Sequence, residues 1–482
     1  MQLELPNLSG PAEASTRSIT APRRVYVNRD LKLSNIDWIG FDMDYTLAIY
    51  HQDEMDRLSI EATLDKLVAR GYPPWIRDLE YPLDFPIRGL LIDKHLGNVL
   101  KMNRFKIVRK GYHGLTELNL NELRALYYER KVRHKSSRFH WIDTLYGTSE
   151  ACMFATIVEA FKGRGMALKY AKLFTDIREC IDLSHQDGTI LGPVMADPGR
   201  FIERDPELAT TLHRLRSSGK RLFVLTNSRH VYTDVLLRYL LDGILPDYPT
   251  YQHYFDAVIV AAKKPGFFQK QLPLLERRGE TLQPATLPLS RGRVYENGNL
   301  HELMKALGVT GNRVLYVGDH IYGDMLRSKK DSSWRTAMVI PELELEVTAV
   351  RDGREDTERS HLLYNLRHEL EERLRDQQVR LKRIGKNGSA DGAESLHLKR
   401  LIGSIRKQLR AIDEEQARLR RRIDARFHPY WGSLLKERTE LSLFGAQVSE
   451  YSCVYTSRVS NLGAYSPHQY FRSPLNLLHH EL

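Results

Sequence analysis

The sequence predicts an α/β protein whose core is a parallel sheet, interrupted by a large inserted α+β domain and followed by a helical hairpin. Three observations carry that expectation. Apolar runs at Ile36-Asp37-Trp38-Ile39-Gly40, Arg221-Leu222-Phe223-Val224-Leu225, Ala257-Val258-Ile259-Val260 and Val314-Leu315-Tyr316-Val317 are too short for helices, and each runs into a polar loop. That is the pattern of buried strands whose carboxyl ends carry a site. Between the first and second runs lies far more chain than a crossover needs, so residues 51–199 are assigned to an insertion. Finally, apolar residues at helical spacing flank Gly385-Lys386-Asn387-Gly388-Ser389, which predicts an antiparallel hairpin over residues 360–430.

In chain order, residues 1–30 carry Pro, Ser and Thr without apolar periodicity and read as a flexible arm. The core is expected from residues 31–50 and 200–345. Within the insertion, 59–68 is an amphipathic helix closed by Gly71-Tyr72-Pro73. Residues 88–92 and 98–102 read as strands paired around His95-Leu96-Gly97, and 150–161 and 170–182 as helices. A second insertion, 266–293, is rich in Pro and Leu and shows no period. Residues 299–307 form a helix ended by Gly308. In the hairpin, Leu363, Leu366, Leu370, Leu374, Leu381 and Ile384 mark one stripe, and Leu398, Leu401, Ile405, Leu409, Ile412, Leu419 and Ile423 the other. Residues 431–482 are expected to pack on the core.

The chemistry begins at Phe41-Asp42-Met43-Asp44-Tyr45-Thr46. Alternate residues of an extended chain point the same way, so Asp42 and Asp44 face one small reacting group from the end of a buried strand. Two carboxylates there repel each other and call for a cation. Mg²⁺, a hard ion that prefers oxygen ligands, would keep Asp42 ionised and leave Asp44 free to carry a proton. The other strand ends add Thr226-Asn227-Ser228, with a hydroxyl and an amide for phosphoryl oxygens, Lys263-Lys264-Pro265, with a cation, and Gly318-Asp319-His320-Ile321-Tyr322-Gly323-Asp324, a third acidic loop. Taken singly, each is an ordinary cap or turn. Four in this order, each after an apolar strand, point to one site.

The ordered set DxDxT, (S/T)N, K and GDxxxxD resembles the haloacid dehalogenase superfamily of phosphoryl-transfer enzymes. Phe-Asp-Met-Asp-Tyr-Thr-Leu-Ala at 41–48, Leu-Thr-Asn-Ser at 225–228, Lys-Pro-Gly-Phe-Phe at 264–268 and Gly-Asp-His-Ile-Tyr-Gly-Asp at 318–324 are similar to the cytosolic purine 5′-nucleotidase family. The resemblance runs from about residue 36 to 341 and resumes near 444–448. It implies a Rossmann-like haloacid dehalogenase core with a parallel sheet and an inserted cap domain. It further implies Mg²⁺-dependent hydrolysis of IMP and GMP through an aspartyl-phosphate. Asp42 is then the nucleophile and Asp44 the acid and base, while Thr226, Asn227 and Lys264 hold the transferring group. Asp42, the Asp44 backbone carbonyl and Asp319 bind the metal, and Asp324 orients a metal water or Lys264.

Substrate choice falls to the cap. Residues 139–146 match a family segment whose aromatic residue stacks on the purine, here Tyr146, and 174–185 match the segment whose Arg and Asp read the base edge, here Arg178 and Asp182, with His185 nearby. An Arg donates to a 6-oxo group and an Asp accepts from ring N1–H, a pairing adenine does not satisfy. An internal salt bridge between Arg178 and Asp182 is the plainer alternative. Gly147 stands where the family has Asn, and Leu191 where it has Lys. For a nucleotide effector site, Lys330, Gln447 and Tyr451 match the family, while Asp143 replaces an Asn.

Composition excludes several classes. A length of 482 residues with 42% hydrophobic content indicates a folded protein of more than one core. Three cysteines are too few and too scattered for a disulfide framework or a zinc site. With no signal-peptide-like apolar core near the start and no membrane-length apolar run, the expectation is a cytoplasmic protein without a membrane partner. The formal net charge of +11 fits a field that draws anionic nucleotides, and nucleic acid is disfavoured because charge runs are usually solvated faces. The apolar stripes and the resemblance favour a homo-oligomer, dimer or tetramer. Two other functions remain open: a nucleoside phosphotransferase using the same intermediate, and a nucleic-acid-binding or scaffold protein on a phosphatase-like core.

Overall fold

The computed structural model describes residues 19–128, 136–326, 328, 332–386, 392–475 and 479–481. Its centre is a ten-stranded sheet in the order Tyr26–Val27, Val454–Thr456, Arg335–Val339, Val314–Gly318, Trp38–Phe41, Arg221–Leu225, Ala257–Val260, Val294–Asn297, Leu274–Arg278 and Thr281–Pro284. From Val454–Thr456 to Val294–Asn297 every pairing is parallel. The edges are antiparallel. With helices interleaved between the parallel strands, this is the Rossmann-like core with a parallel sheet that the motif order implied.

Register decides where the loops meet. Phe41 lies opposite Val317 on one side and Val224 on the other, and Leu225 lies opposite Ile259. Asp42, the Gly318-Asp319 loop, Thr226 and the segment after Val260 therefore emerge at one level of the sheet. Trp38–Phe41, Leu222–Leu225 and Ala257–Val260 are buried throughout, as a strand covered on both faces must be.

The insertion forms its own layer. A five-stranded antiparallel sheet runs in the order Thr116–Glu117, Val108–His113, Asn98–Met102, Leu90–Asp93, Phe139–Ile142. Helices Gln52–Ala69, Thr148–Gly163 and Tyr170–Gln186 share a hydrophobic cluster with it. Buried Arg88 clamps this layer to the core: Nε and Nη2 donate to Glu342 at 2.8 and 2.6 Å, and Nη1 donates to the Asp319 carbonyl at 3.1 Å. Lys101 ties it to the C-terminal segment, donating to the carbonyls of Trp431, Ser433 and Lys436.

Three expectations need correction. From residue 19 onward the arm is fixed to the core, since Tyr26–Val27 pairs with Val454–Thr456; residues 1–18 lie outside the described residues. The region read as an aperiodic second insertion contains a β-hairpin, with Arg278 opposite Thr281 across Gly279-Glu280, which extends the core sheet. In the helical hairpin, Arg354–Lys386 against Gly392–Asp424, Leu366 and Leu401 are 45% and 37% exposed, whereas Ile402 is buried. The buried seam is Leu363, Leu370, Ile405, Ile412 and Leu419. Within each helix these residues recur every seventh position, with Leu374 and Leu409 packed against them four residues on from Leu370 and Ile405, the heptad spacing that keeps one stripe against a partner helix and leaves Leu366 and Leu401 outside it. Among the described residues no helix is long and apolar enough to cross a membrane, and all three cysteines are buried and unpaired.

Candidate active site

Asp42 follows the central strand with its amide donating to the Val317 carbonyl and its Oδ1 accepting from the Met43 amide. The chain then turns so tightly that Thr46, Leu47 and Ala48 all donate to the Met43 carbonyl, and Tyr45 takes a φ of +55°, uncommon for a residue other than glycine. Asp44 leaves that turn with both carboxylate oxygens occupied. Tyr50 donates to Oδ1 at 2.5 Å and Ser228 to Oδ2 at 2.6 Å.

Lys264 joins the loops. Its Nζ lies 3.0 Å from Asp42 Oδ2, 2.6 Å from Asp324 Oδ1 and 2.9 Å from the Tyr316 hydroxyl. Asn227 staples the same loop, donating to the Lys264 carbonyl at 3.0 Å and accepting from the Lys264 amide at 2.6 Å. Asp324 also accepts from the His320 amide and packs so closely on Gly318 that a Cβ there would sit 2.5 Å from its Oδ2. Only glycine leaves that room.

Oxygens of Asp42, Asp319 and Asp324 lie within 4.8 Å of one another. Burial pushes Asp42 well up from the ordinary carboxylate range, with Lys264 opposing. Burial likewise pushes Asp319 up to about 7, with Arg88 opposing. Counted with Glu342, four carboxylates face two cations, Lys264 and Arg88. An all-oxygen donor set with two uncompensated negative charges fits a hard divalent cation.

A cavity of about 670 Å³ opens on these residues, lined at its floor by Asp42, Asp44, Asn227, Ser228 and Asp319, and above by Tyr146, His185, Leu191 and Tyr232. Tyr146 and His185 meet edge to face at 5.8 Å. The expected residues are thus distributed unevenly. Asp42, Asp44, Asn227, Tyr146, His185 and Asp319 share this space, with Lys264 and Asp324 directly behind it. Thr226 is buried beneath, its hydroxyl accepting from the Ser228 amide. Asn227 spends its amide on the Lys264 backbone, so Ser228 is the side-chain hydroxyl at this strand end that faces the cavity.

Arg178 and Asp182 do not line the cavity, and no ion pair joins them. Arg178 Nη1 instead contacts His140 Nε2 at 2.8 Å and Glu150 Oε2 at 3.7 Å. Burial pushes His140 down to about 4, with Arg178 adding to the effect, and pushes Glu150 up to about 7, with Arg178 opposing. Because the folded state holds the Glu150 proton more tightly than the ordinary value of 4.5 allows, its stabilising contribution is complete below pH 4.5. That contribution disappears as pH rises through 7. Glu150→Gln is therefore expected to stabilise the protein by up to about 3 kcal/mol at pH 8 and by nothing at pH 4, measured by thermal or urea unfolding at the two pH values.

Gln447 is buried, with Nε2 3.4 Å from the Tyr322 hydroxyl and no partner for its Oε1. Tyr451 closes the same helix, Leu443–Tyr451. Neither lines the cavity, and Lys330 lies outside the described residues. Asp143 pairs with His320 Nε2 at 3.1 Å. Burial disfavours the imidazolium, yet Asp143, aided by Asp324 and Asp319, holds it above its usual range. Tyr50, Tyr232, Arg88 and Tyr316 were not legible as site residues. Each reaches the site from a separate element, and nothing local in the sequence sets them apart from core residues.

The 5′ nucleotidase family model matches residues 25–482. A 5′-nucleotidase domain-containing protein of Dictyostelium discoideum is 26% identical over 453 residues, covering 92% of this chain and 72% of that protein. The rat 5′-nucleotidase domain-containing protein 2 is 31% identical over 349 residues, covering 69% of this chain. The chain thus spans only 62% of the rat protein's length. An archaeal β-phosphoglucomutase from Pyrococcus sp. strain ST 04 is 12% identical with a TM-score of 0.30, covering 63% of this chain and 87% of that one, a likeness too slight to bear on activity.

Proposed function

The chain belongs to the 5′-nucleotidase family of phosphoric monoester hydrolases, and we propose that it hydrolyses the purine nucleoside 5′-monophosphates IMP and GMP through a phosphoryl group carried on Asp42. One observation carries this reading: a cavity with Asp42, Asp44 and Asp319 at its floor has Tyr146 and His185 above them, so a phosphate end and a flat base end are both provided for. Asp42 Oδ2 attacks phosphorus while Asp44 gives its proton to the departing ribose O5′. The bond from phosphorus to O5′ breaks as the bond to Asp42 forms. Asp44, now a carboxylate, takes a proton from the water that attacks phosphorus and releases Asp42.

Asp42 and Asp319 would hold Mg²⁺, which supplies charge neutralisation for the phosphoryl oxygens when bound. Lys264 adds a fixed positive charge, kept in place by Asp324. Asn227 locks the Lys264 loop to the Ser228 loop, and Ser228 donates to a phosphoryl oxygen. Tyr146 stacks on the base. Arg178, Asp182 and His185 are spaced i, i+4 and i+7 on one helix, Tyr170–Gln186, so they lie along one face. Arg178 reads the base edge once it exchanges His140 for a 6-oxo group.

The test is phosphate release from IMP, GMP and AMP, with Mg²⁺ and with excess chelator. The expected kcat/KM for IMP and GMP exceeds that for AMP by at least about tenfold, and chelator stops turnover. Equal rates on AMP would remove the base-edge assignment, and undiminished turnover in chelator would remove the metal.

A further inference from the structure

We infer that Tyr50, backed by Tyr232, is the positioning residue for Asp44, anchoring Oδ1 so that Oδ2 is the oxygen that meets the leaving group. The inference rests on the phosphatase reading above and adds to it two residues that are not part of the motif set. Tyr50 sits on the Ile49–Tyr50 strand, where Tyr50 pairs with Ile202 of Ile202–Glu203, so its backbone is fixed independently of the tight turn that carries Asp44. Its ring is buried against Tyr45 at 4.8 Å and Tyr146 at 6.1 Å.

The hydroxyl geometry fixes the direction of each bond. Tyr50 has one hydroxyl proton and gives it to Asp44 Oδ1 at 2.5 Å. It must then accept from the Tyr232 hydroxyl, 2.9 Å away. Ser228 holds the other oxygen, Oδ2, at 2.6 Å. The two hydroxyls differ in what they face: Ser228 lines the cavity and Tyr50 does not. An arriving phosphoryl group competes for the Ser228 hydroxyl, whereas nothing from the cavity reaches Tyr50. Oδ1 therefore stays tethered through the reaction while Oδ2 is released towards the leaving oxygen. Without the tether, the carboxyl group is free to rotate on a turn already bent through a positive φ at Tyr45, and the alignment that proton transfer needs is lost.

The experiment compares kcat/KM, which reports only steps through departure of the leaving group, for IMP and for p-nitrophenyl phosphate, whose leaving group needs no proton. For Tyr50→Phe we expect a fall of roughly ten- to a hundredfold on IMP, and less than about twofold on p-nitrophenyl phosphate. Tyr232→Phe should show the same split with a smaller fall, and it keeps the test decisive where Tyr50→Phe does not fold. An equal fall on both esters, or no fall on IMP, would overturn the positioning role while leaving the phosphatase reading intact. A wild-type protein that turns over neither ester would take down that reading and this inference together.

Discussion

Replacing Asp42 by Asn is expected to abolish turnover, by at least about 10⁴-fold in kcat, while the fold survives. The loss follows from chemistry. An amide neither attacks phosphorus at a useful rate nor leaves as a carboxylate when water arrives, so both halves of the reaction fail at one atom. Survival of the fold follows from the charges. Lys264 remains paired with Asp324 at 2.6 Å and bonded to Tyr316 at 2.9 Å, so no cation is stranded. Removing one of several buried carboxylates also relieves the burial that pushes Asp42 up. Phosphate release and a thermal melt on the same preparation check both halves. A variant that folds and keeps more than about one per cent of wild-type turnover would exclude Asp42 as the nucleophile.

Much of this arrangement was legible because parallel sheets place their chemistry where strands end. Four apolar runs followed by Asp42, Thr226, Lys264 and Asp319 announced both the sheet and the site. The helix ending at Gly308 was legible for a local reason, as Asn299 caps Leu300–Leu307 at one end and Gly308 takes a φ of +67° at the other. The Leu274–Arg278 and Thr281–Pro284 hairpin was not, because its charged Glu276, Arg277 and Arg278 and its exposed second strand hide the alternation that marks a strand. Roles were harder to read than positions. Asn227 looked like a phosphoryl donor by residue type, yet its partner is a backbone 37 residues away. Arg178 is spaced to pair with Asp182 one turn on, yet it contacts His140 from another element. A single sequence records which groups are present, and tertiary contacts decide how each is used.

Lys264→Met carries the largest combined effect, because it tests the charge balance on which the site depends. Methionine keeps most of the side chain's length and removes only the ammonium that stands between Asp42 at 3.0 Å and Asp324 at 2.6 Å. Two buried carboxylates are then left facing each other. Breaking one partner out of a buried ionic cluster costs about 3–5 kcal/mol, and loss of a fixed positive charge beside the transferring group is expected to lower kcat by about 10³-fold or more. The destabilisation has a definite pH sign. With Lys264 gone, nothing offsets the burial that makes Asp42 hold its proton more tightly in the folded state than in the unfolded one. The deficit is therefore full at high pH and shrinks as pH falls and Asp42 becomes neutral. Added Mg²⁺ should raise the variant's melting temperature more than the wild type's, since a dication restores part of the missing charge. Urea unfolding at pH 5 and pH 8, with and without Mg²⁺, reads each of these effects without relying on activity. A variant as stable as wild type at both pH values would mean that Lys264 is not what neutralises Asp42 and Asp324.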